Sequence, residues 1–256
     1  DIILLKIKNH ILKKYEIDIR FSENLNYGLL PKPHFYTKDL TIIRDEKEIG
    51  FVDKFKIFIS VGDFFSFNEP KFKDLLFRKT DFNIYQNDLN FFKELLNTEP
   101  NENKIIIKDS AIFFKNSDDE VIFINKIKNS KFYYDSRKLV NIFISNNEIF
   151  NVPYRLSIEN DKFNKQVYSN FNSKKIRLNV ENTTDYNQNF KTGFLDILFI
   201  NKDTSLEYEL KKNSFSFFSK EKPNYYEGKI DFKPFYLFAD FNYEGLSSKN
   251  LFNNNS

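Results

Sequence analysis

The chain has 256 residues, with 39 lysines and arginines against 36 aspartates and glutamates, and these charges are scattered rather than gathered in blocks. It is long enough to bury a sizeable core, and its even balance does not support a nucleic-acid footprint or steering to a membrane surface. There is no cysteine, which excludes disulfides, thiolate metal sites and a cysteine nucleophile.

The elements follow in chain order. From Leu4, LLKIKNHILKKYEID places Leu4, Ile7, Ile11 and Leu12 at helical spacing with lysines on the other face, which predicts a short amphipathic N-terminal helix. YEIDIRF then alternates Ile17, Ile19 and Phe21 with polar neighbours, a strand period. Residues 28–33, ending in Pro31-Lys32-Pro33, predict a kinked connector, because each proline fixes φ and biases the residue before it to an extended conformation. Beyond it, Phe35, Thr37 and Asp39 are expected on one strand face and Tyr36, Leu40 and Ile42 on the other. FKIFISV places Phe55, Ile57, Ile59 and Val61 together, and DFNIY does the same for Phe82 and Ile84. Between 87 and 97 the period changes, with Leu89, Phe92, Leu95 and Leu96 behind an Asn/Asp cap, predicting one further helix near residues 87–97.

Downstream, apolar runs are separated by polar turns. NSDDE divides IIIKDSAIFF from VIFINKI, SNNE divides LVNIFI from IFNVPYRLSI, NKDTS divides GFLDILFI from LEYEL, and KEKPN divides NSFSFF from YYEGKIDF. The expectation is mainly β, a long antiparallel meander with one apolar and one polar face. It forms one continuous region over 1–256, with a helix-and-strand cap over 1–100 and the meander over 101–256. The apolar stripes suit either a closed sandwich core acting as a structural or adhesive module, or a surface left open to bind something apolar.

Catalytic chemistry has little to build on. The two histidines, His10 and His34, have no serine or acidic partner at a motif spacing, and both are expected to be ordinary surface or interface residues. The one enzymatic pattern is Asp196 followed by Glu209-Leu210-Lys211, the kind of set with which a metal-dependent nuclease holds a divalent cation. Glu102-Asn103-Lys104 repeats part of it. No catalytic residue, metal or cofactor is assigned from the sequence. No run of about 18 apolar residues occurs, so no segment of this chain reads as a membrane-spanning helix. With Asp at position 1 and no methionine anywhere, the chain is expected to be a processed product or fragment, with any anchor lying before Asp1.

The order of helix, IDIRF strand, GLLPKP kink, PHFYTKDLTI and FKIFISV strands, FNIYQND, NFFKELL helix and IIIKDSAIFFKN resembles the start of the AsmA-like family. The C-terminal GKIDFKPFYLFADFNYEGL is similar in character to segments of that family. The resemblance is one of strand order and kinks over most of the chain. It implies a curved, taco-shaped antiparallel sheet in the periplasm, anchored to the inner membrane through a segment absent from this chain. Its apolar interior would pass phospholipid toward the outer membrane and contribute to outer-membrane biogenesis. No enzyme activity is implied, and the partners are phospholipid acyl chains. Placing a sixteen-carbon acyl chain in water costs roughly 13 kcal/mol, so a trough that shelters it removes a real barrier.

The strand pattern supplies candidate lining residues for such a groove: Phe82, Ile84, Ile105, Ile107, Val121, Phe123, Ile176, Leu178, Val180, Leu198, Ile200, Leu206, Tyr208, Leu210, Phe215, Phe217, Ile230 and Phe232. Over 105–124 both strand faces are apolar, so the inward parity is open there. The Pro-Lys-Pro kink is expected to turn the chain from the first strand into the groove, with His34 incidental.

Overall fold

Period-2 alternation dictates strands, and strands are what most of the chain forms. The computed structural model describes residues 2–15, 17–22, 24–44, 46–60, 62, 70–85, 101–116, 118–186, 190–219, 225–232 and 234–242. One helix, α1 (Ile2–Tyr15), opens the chain. The predicted helix near 87–97 lies outside the described residues. Two compact units form, one of Asp1–Asn160 with Ser173–Lys175 and one of Asp161–Asn172 with Ile176–Ser256. The break expected at 100/101 therefore falls inside the first unit.

The first unit carries β1 (Asp18–Phe21), β2 (Asn26–Gly28), β3 (His34–Arg44), β4 (Lys47–Ile59), β5 (Phe72–Tyr85), β6 (Ile105–Lys115), β7 (Val121–Asp135), β8 (Val140–Ile149) and β9 (Val152–Asp161). Their hydrogen-bonded order is β1-β3-β4-β5-β6-β7-β8-β9, with β2 also on β3. These strands pair antiparallel, except β5 with β6, which pair parallel. The second unit carries β10 (Gln166–Ser173), β11 (Leu178–Asp185), β12 (Lys191–Phe199), β13 (Lys202–Leu210), β14 (Ser214–Phe218), β15 (Tyr225–Phe232) and β16 (Phe235–Asn242), again in chain order. From β11 to β16 each strand pairs antiparallel with the next. The mainly β, antiparallel class expected from the sequence is the class that forms.

A transverse crease crosses the first unit. Asp39 (φ 52°) in β3, Lys79 (φ 53°) in β5 and Asp109 (φ 50°) in β6 all have left-handed backbone. The register places Asp39 opposite Asp53, Asp53 opposite Lys79, Lys79 beside Asp109 and Asp109 opposite Lys128, and the residue pairing skips each of these positions. In each strand the buried parity switches at this line. Phe35 and Thr37 give way to Leu40 and Ile42, Phe55 to Val52, Leu75 and Phe77 to Thr80 and Ile84. This corrects the strict alternation expected for β3: one extra residue at Asp39 brings Phe35, Thr37, Leu40 and Ile42 all onto the buried face, as an inserted residue in a strand does. Ser110 repairs the ladder at the crease, its hydroxyl accepting from the Thr80 N–H (3.0 Å) and donating to the Lys108 carbonyl (2.7 Å). On the outer side, Arg78 pairs with Asp109 at 2.8 Å and Lys79 with Asp53 at 3.6 Å.

Two turns fall elsewhere than the polar clusters suggested. SNNE lies inside β8, with Ser145 and Asn147 buried and hydrogen bonded to each other at 2.7 Å. Of NKDTS, only Asn201 lies in the turn, and Lys202 to Ser205 lie inside β13. The chain reverses instead at Phe150-Asn151 (φ 49° and 60°) and Ile200-Asn201 (φ 49° and 65°), two-residue loops with both central residues left-handed, as the right-handed twist of a hairpin demands.

The core of the first unit lies between α1 and the sheet. Ile7, Ile11 and Tyr15 are buried on one helix face against Ile19, Leu40, Val52, Phe55 and Leu75. Leu12, expected on that face, is 44% exposed, because the buried stripe follows i, i+4, i+8 from Ile7 and turns Leu12 away from it. In the second unit, Tyr208 and Tyr226 are the only buried large hydrophobics among the described residues.

Candidate ligand groove

Helix α1 does not lie flush on the sheet over its whole length. Beside it is an apolar cavity of about 210 Å³, lined by Ile11, Tyr15 and Ile17 and by residues of strands β3 to β8. Leu75 and Phe77 reach it from one side of the crease, Phe82 and Ile84 from the other, followed by Ile105, Ile107, Ile112, Ile127, Phe132 and Phe143. The crease is what allows this, since strict alternation would turn either Ile107 or Ile112 outward. Arg44, Lys47, Asn83, Ser130 and Tyr15 supply its polar groups. Burial, followed by the nearby Asp74 charge, outweighs the hydrogen bond Tyr15 accepts from Asn101 (3.0 Å) and pushes the phenol up to about 12. A wider depression near Leu4, Lys8, Ile19 and Arg20 has mixed polar walls and opens broadly to solvent, so it gives an acyl chain little shelter.

The second unit presents an apolar face without a helix or second layer on it among the described residues. The registers align Leu178 and Val180 of β11 with Ile197 and Phe199 of β12, then Leu195 with Leu206, Tyr208 with Phe217, and Leu210 with Phe215 and Ile230. Its opposite face carries Glu181, Asp196, Ser205, Glu207, Glu209 and Lys229, together with the exposed Phe194, Leu198 and Phe218. Two glycines shape the apolar face. A side chain at Gly193 would strike the Tyr208 ring and the Thr183 carbonyl, and one at Gly228 would strike the Phe217 ring, so each aromatic lies over the glycine of the neighbouring strand. The Tyr208 hydroxyl donates to Asn182 Oδ1 at 2.8 Å and lies 2.6 Å from Thr184 Oγ1, which satisfies the phenol as it is buried.

Most of the sequence-derived lining residues share these two faces. Phe82, Ile84, Ile105 and Ile107 line the cavity. Val121 and Phe123 share the strand parity of Ile127, and Phe123 stacks on Phe114 with ring centres 4.8 Å apart. The open question of parity over 105–124 resolves into Ile105 and Ile107 before the crease and Ile112 and Phe114 after it. Leu178, Val180, Leu206, Tyr208, Leu210, Phe215, Phe217, Ile230 and Phe232 share the apolar face of the second unit. Three positions are corrected. Leu198 pairs with Asn179 and Asp203 on the opposite, polar face, and its neighbours Leu195 and Ile197 take its place. Ile176 and Ile200 belong to turns. The signal for β12 was present: Asp196 shares Leu198's parity, and a carboxylate marks the wet face.

The cation-binding pattern does not assemble. Asp196 lies opposite Ser205, whose hydroxyl donates to it at 2.6 Å, while Glu209 lies opposite Thr192 and pairs with Lys211. Four strand positions between Ser205 and Glu209 amount to about 13 Å, too far for one ion. Among the described residues no group of three metal-ligating side chains is present. His34, expected to be an ordinary surface or interface residue, is only 3% exposed. Its Nδ1 donates to the Lys32 carbonyl at 2.8 Å, and Nε2 accepts from Lys56 at 3.1 Å, which fixes the tautomer. The ring also sits against Gly28, where a side chain would collide with it. The prolyl segment is thus the loop of the β2–β3 hairpin, clamped by His34 from beneath.

No protein-family model matches the chain, and no curated protein matches it.

Proposed function

We propose that this chain is a non-enzymatic lipid-binding module whose apolar sheet surface shelters phospholipid acyl chains. In this reading it is an AsmA-like protein of the periplasm, held at the inner membrane and contributing to phospholipid transport toward the outer membrane. The observation that carries the reading is the division of faces in the second unit. One side of the strands is lined almost wholly by leucine, isoleucine, valine and aromatic side chains with no second layer on them among the described residues, whereas the other mixes carboxylates, serines and lysine with Phe194, Leu198 and Phe218. A soluble protein rarely leaves so large an apolar surface without a binding role. A closed sandwich would need a second layer on that face, and a metal nuclease would need its carboxylates on one ion.

Photocrosslinkers placed at Leu195 and Phe217, with Phe194 and Leu198 as opposite-face controls on the same sheet, test it in membrane extracts or with phospholipid vesicles. Adducts carrying phospholipid mass are expected from Leu195 and Phe217 only. Equal labelling of both faces, or no lipid adduct from any position, would reject the reading.

A further inference from the structure

The cavity beside α1 contains one polar group that nothing in the protein answers. Ser130 of β7 lines it, is only 2% exposed, and its hydroxyl has no hydrogen-bond partner among the described residues. The register shows why. Ser130 continues a cross-strand row of Phe55, Phe77 and Ile107, which offers only hydrocarbon. Ser145, its partner on β8, donates its own proton to Asn147 Oδ1 at 2.7 Å. The other hydroxyl in the wall, that of Tyr15, is held by Asn101 at 3.0 Å. An unmatched hydroxyl in an apolar wall is costly, so it marks the place where an atom of a ligand would be held.

The surroundings limit what that atom can be. Arg44 and Lys47, the charged residues of the wall, lie across the crease, beyond the pairing of Gly50 with Phe82, whereas Ser130 lies on the side of Leu75, Phe77 and Ile105. On that side no charged side chain lines the cavity among the described residues, so an ion there would be desolvated without a counter-charge. An alcohol would pair with the serine but leave one of the two protons over, whereas a carbonyl oxygen brings an acceptor and no donor. An apolar cavity of about 150 Å³ holds the six carbons of benzene. Scaled to the 210 Å³ here, that is room for about eight heavy atoms. We propose that this cavity binds one small neutral carbonyl compound, a ketone or ester with a single short chain. Ser130 Oγ donates to its carbonyl oxygen, and the chain lies along Phe77, Ile107 and Phe132. The site belongs to the first unit alone and stands apart from the apolar face of the second.

Methyl pentyl ketone and octane, matched in size, can be measured against the full chain by headspace partitioning. Ser130→Ala should weaken the ketone about fivefold and leave octane unchanged or slightly tighter. A second readout needs no variant. With the ketone labelled at its carbonyl carbon and bound to the unaltered protein, the carbonyl resonance should lie downfield of its position in a hydrocarbon solvent, as a hydrogen bond requires. Hexanoate, of similar size but charged, should bind at least about tenfold more weakly than the ketone. An unshifted resonance, an equal loss of both ligands in Ser130→Ala, or hexanoate binding as tightly as the ketone would overturn the proposal. Binding of neither ketone nor octane would also overturn it, and would leave the lipid face of the second unit to be judged by the crosslinks at Leu195 and Phe217.

Discussion

The two units use the same strand pattern to opposite ends. In the first, an amphipathic helix covers the sheet, and Ile7, Ile11, Leu40, Val52, Phe55 and Ile57 are buried almost completely. In the second, side chains of the same kinds are only partly buried, with no element lying over them among the described residues, and Phe235, Tyr236 and Leu237 of the last described strand are more than half exposed. Alternation alone therefore specifies which side of a strand is apolar but not whether that side becomes a core or a surface. That depends on whether the chain supplies a lid, and the lid here is fourteen residues of helix.

Substitution of one phenylalanine from each unit tests this contrast most sharply. Phe55 is fully buried and packs on Phe21 and Phe77, so Phe55→Ala should cost about 3–5 kcal/mol of unfolding free energy. Phe217 is partly buried, on Gly228 and Phe215, rather than enclosed, so Phe217→Ala should cost less, about 1–3 kcal/mol, while reducing lipid capture. Urea unfolding monitored by circular dichroism measures both. Similar losses from the two would mean that the second face is covered in solution.

A smaller effect concerns how the aromatic rings of this face are seated on their neighbouring strands. Gly193→Ala should destabilise by about 1–3 kcal/mol, because the new methyl meets the Thr183 carbonyl, which cannot rotate away, as well as the Tyr208 ring. Thermal unfolding of this variant beside Thr192→Ala, on the polar face of the same strand, is the comparison. If the two behave alike, the glycine-aromatic contact does not organise the sheet.

The smallest effect is a pH dependence confined to the lidded unit. Burial, with Lys14 adding to it, lowers the His10 pKa below its ordinary 6.5, and the ring packs 4.9 Å from Phe72. The unfolded chain then takes up a proton more readily than the folded one. Stability contributed here is intact above about pH 6.5 and is lost as pH falls through the depressed folded value. A thermal midpoint that drops between pH 7.5 and pH 5.5, and drops less in His10→Gln, is the expected result. An unchanged pH slope in the variant would assign the effect elsewhere.

Much of this was legible beforehand, and what was not has identifiable causes. The opening helix, the strand content and the grouping of Leu206, Tyr208 and Leu210 follow from periodicity, which depends on backbone geometry alone. Leu198 was misplaced because GFLDILFI is apolar at both parities, and only Asp196 breaks the tie. The SNNE and KDTS clusters looked like turns by composition. Register overrode them: one reversal fell two residues past SNNE at Phe150-Asn151, the other at Ile200-Asn201, at the leading edge of NKDTS, and in both the asparagine was the cue. The burial of His34 was not readable, since it depends on a glycine across the hairpin and a lysine 22 positions later. The cavity was hidden for a related reason: it needs residues from α1 and from both sides of the crease.

The crease also constrains how such a chain can change length. Deleting Asp109 alone would restore strict alternation to β6, and in doing so would swing Ser110, Ile112 and Phe114 to the wet side while their partners in β5 and β7 stayed where they are. The same holds for a deletion at Asp39 or Lys79, so no single strand can gain or lose this residue without falling out of phase with its neighbours. Five positions, 39, 53, 79, 109 and 128, are therefore coupled to one another through register. Two adjacent polar residues interrupting an apolar run in each of several successive strands, after which odd positions hand over to even ones, is a signature by which distant relatives of this sheet could be recognised even where no residue is shared.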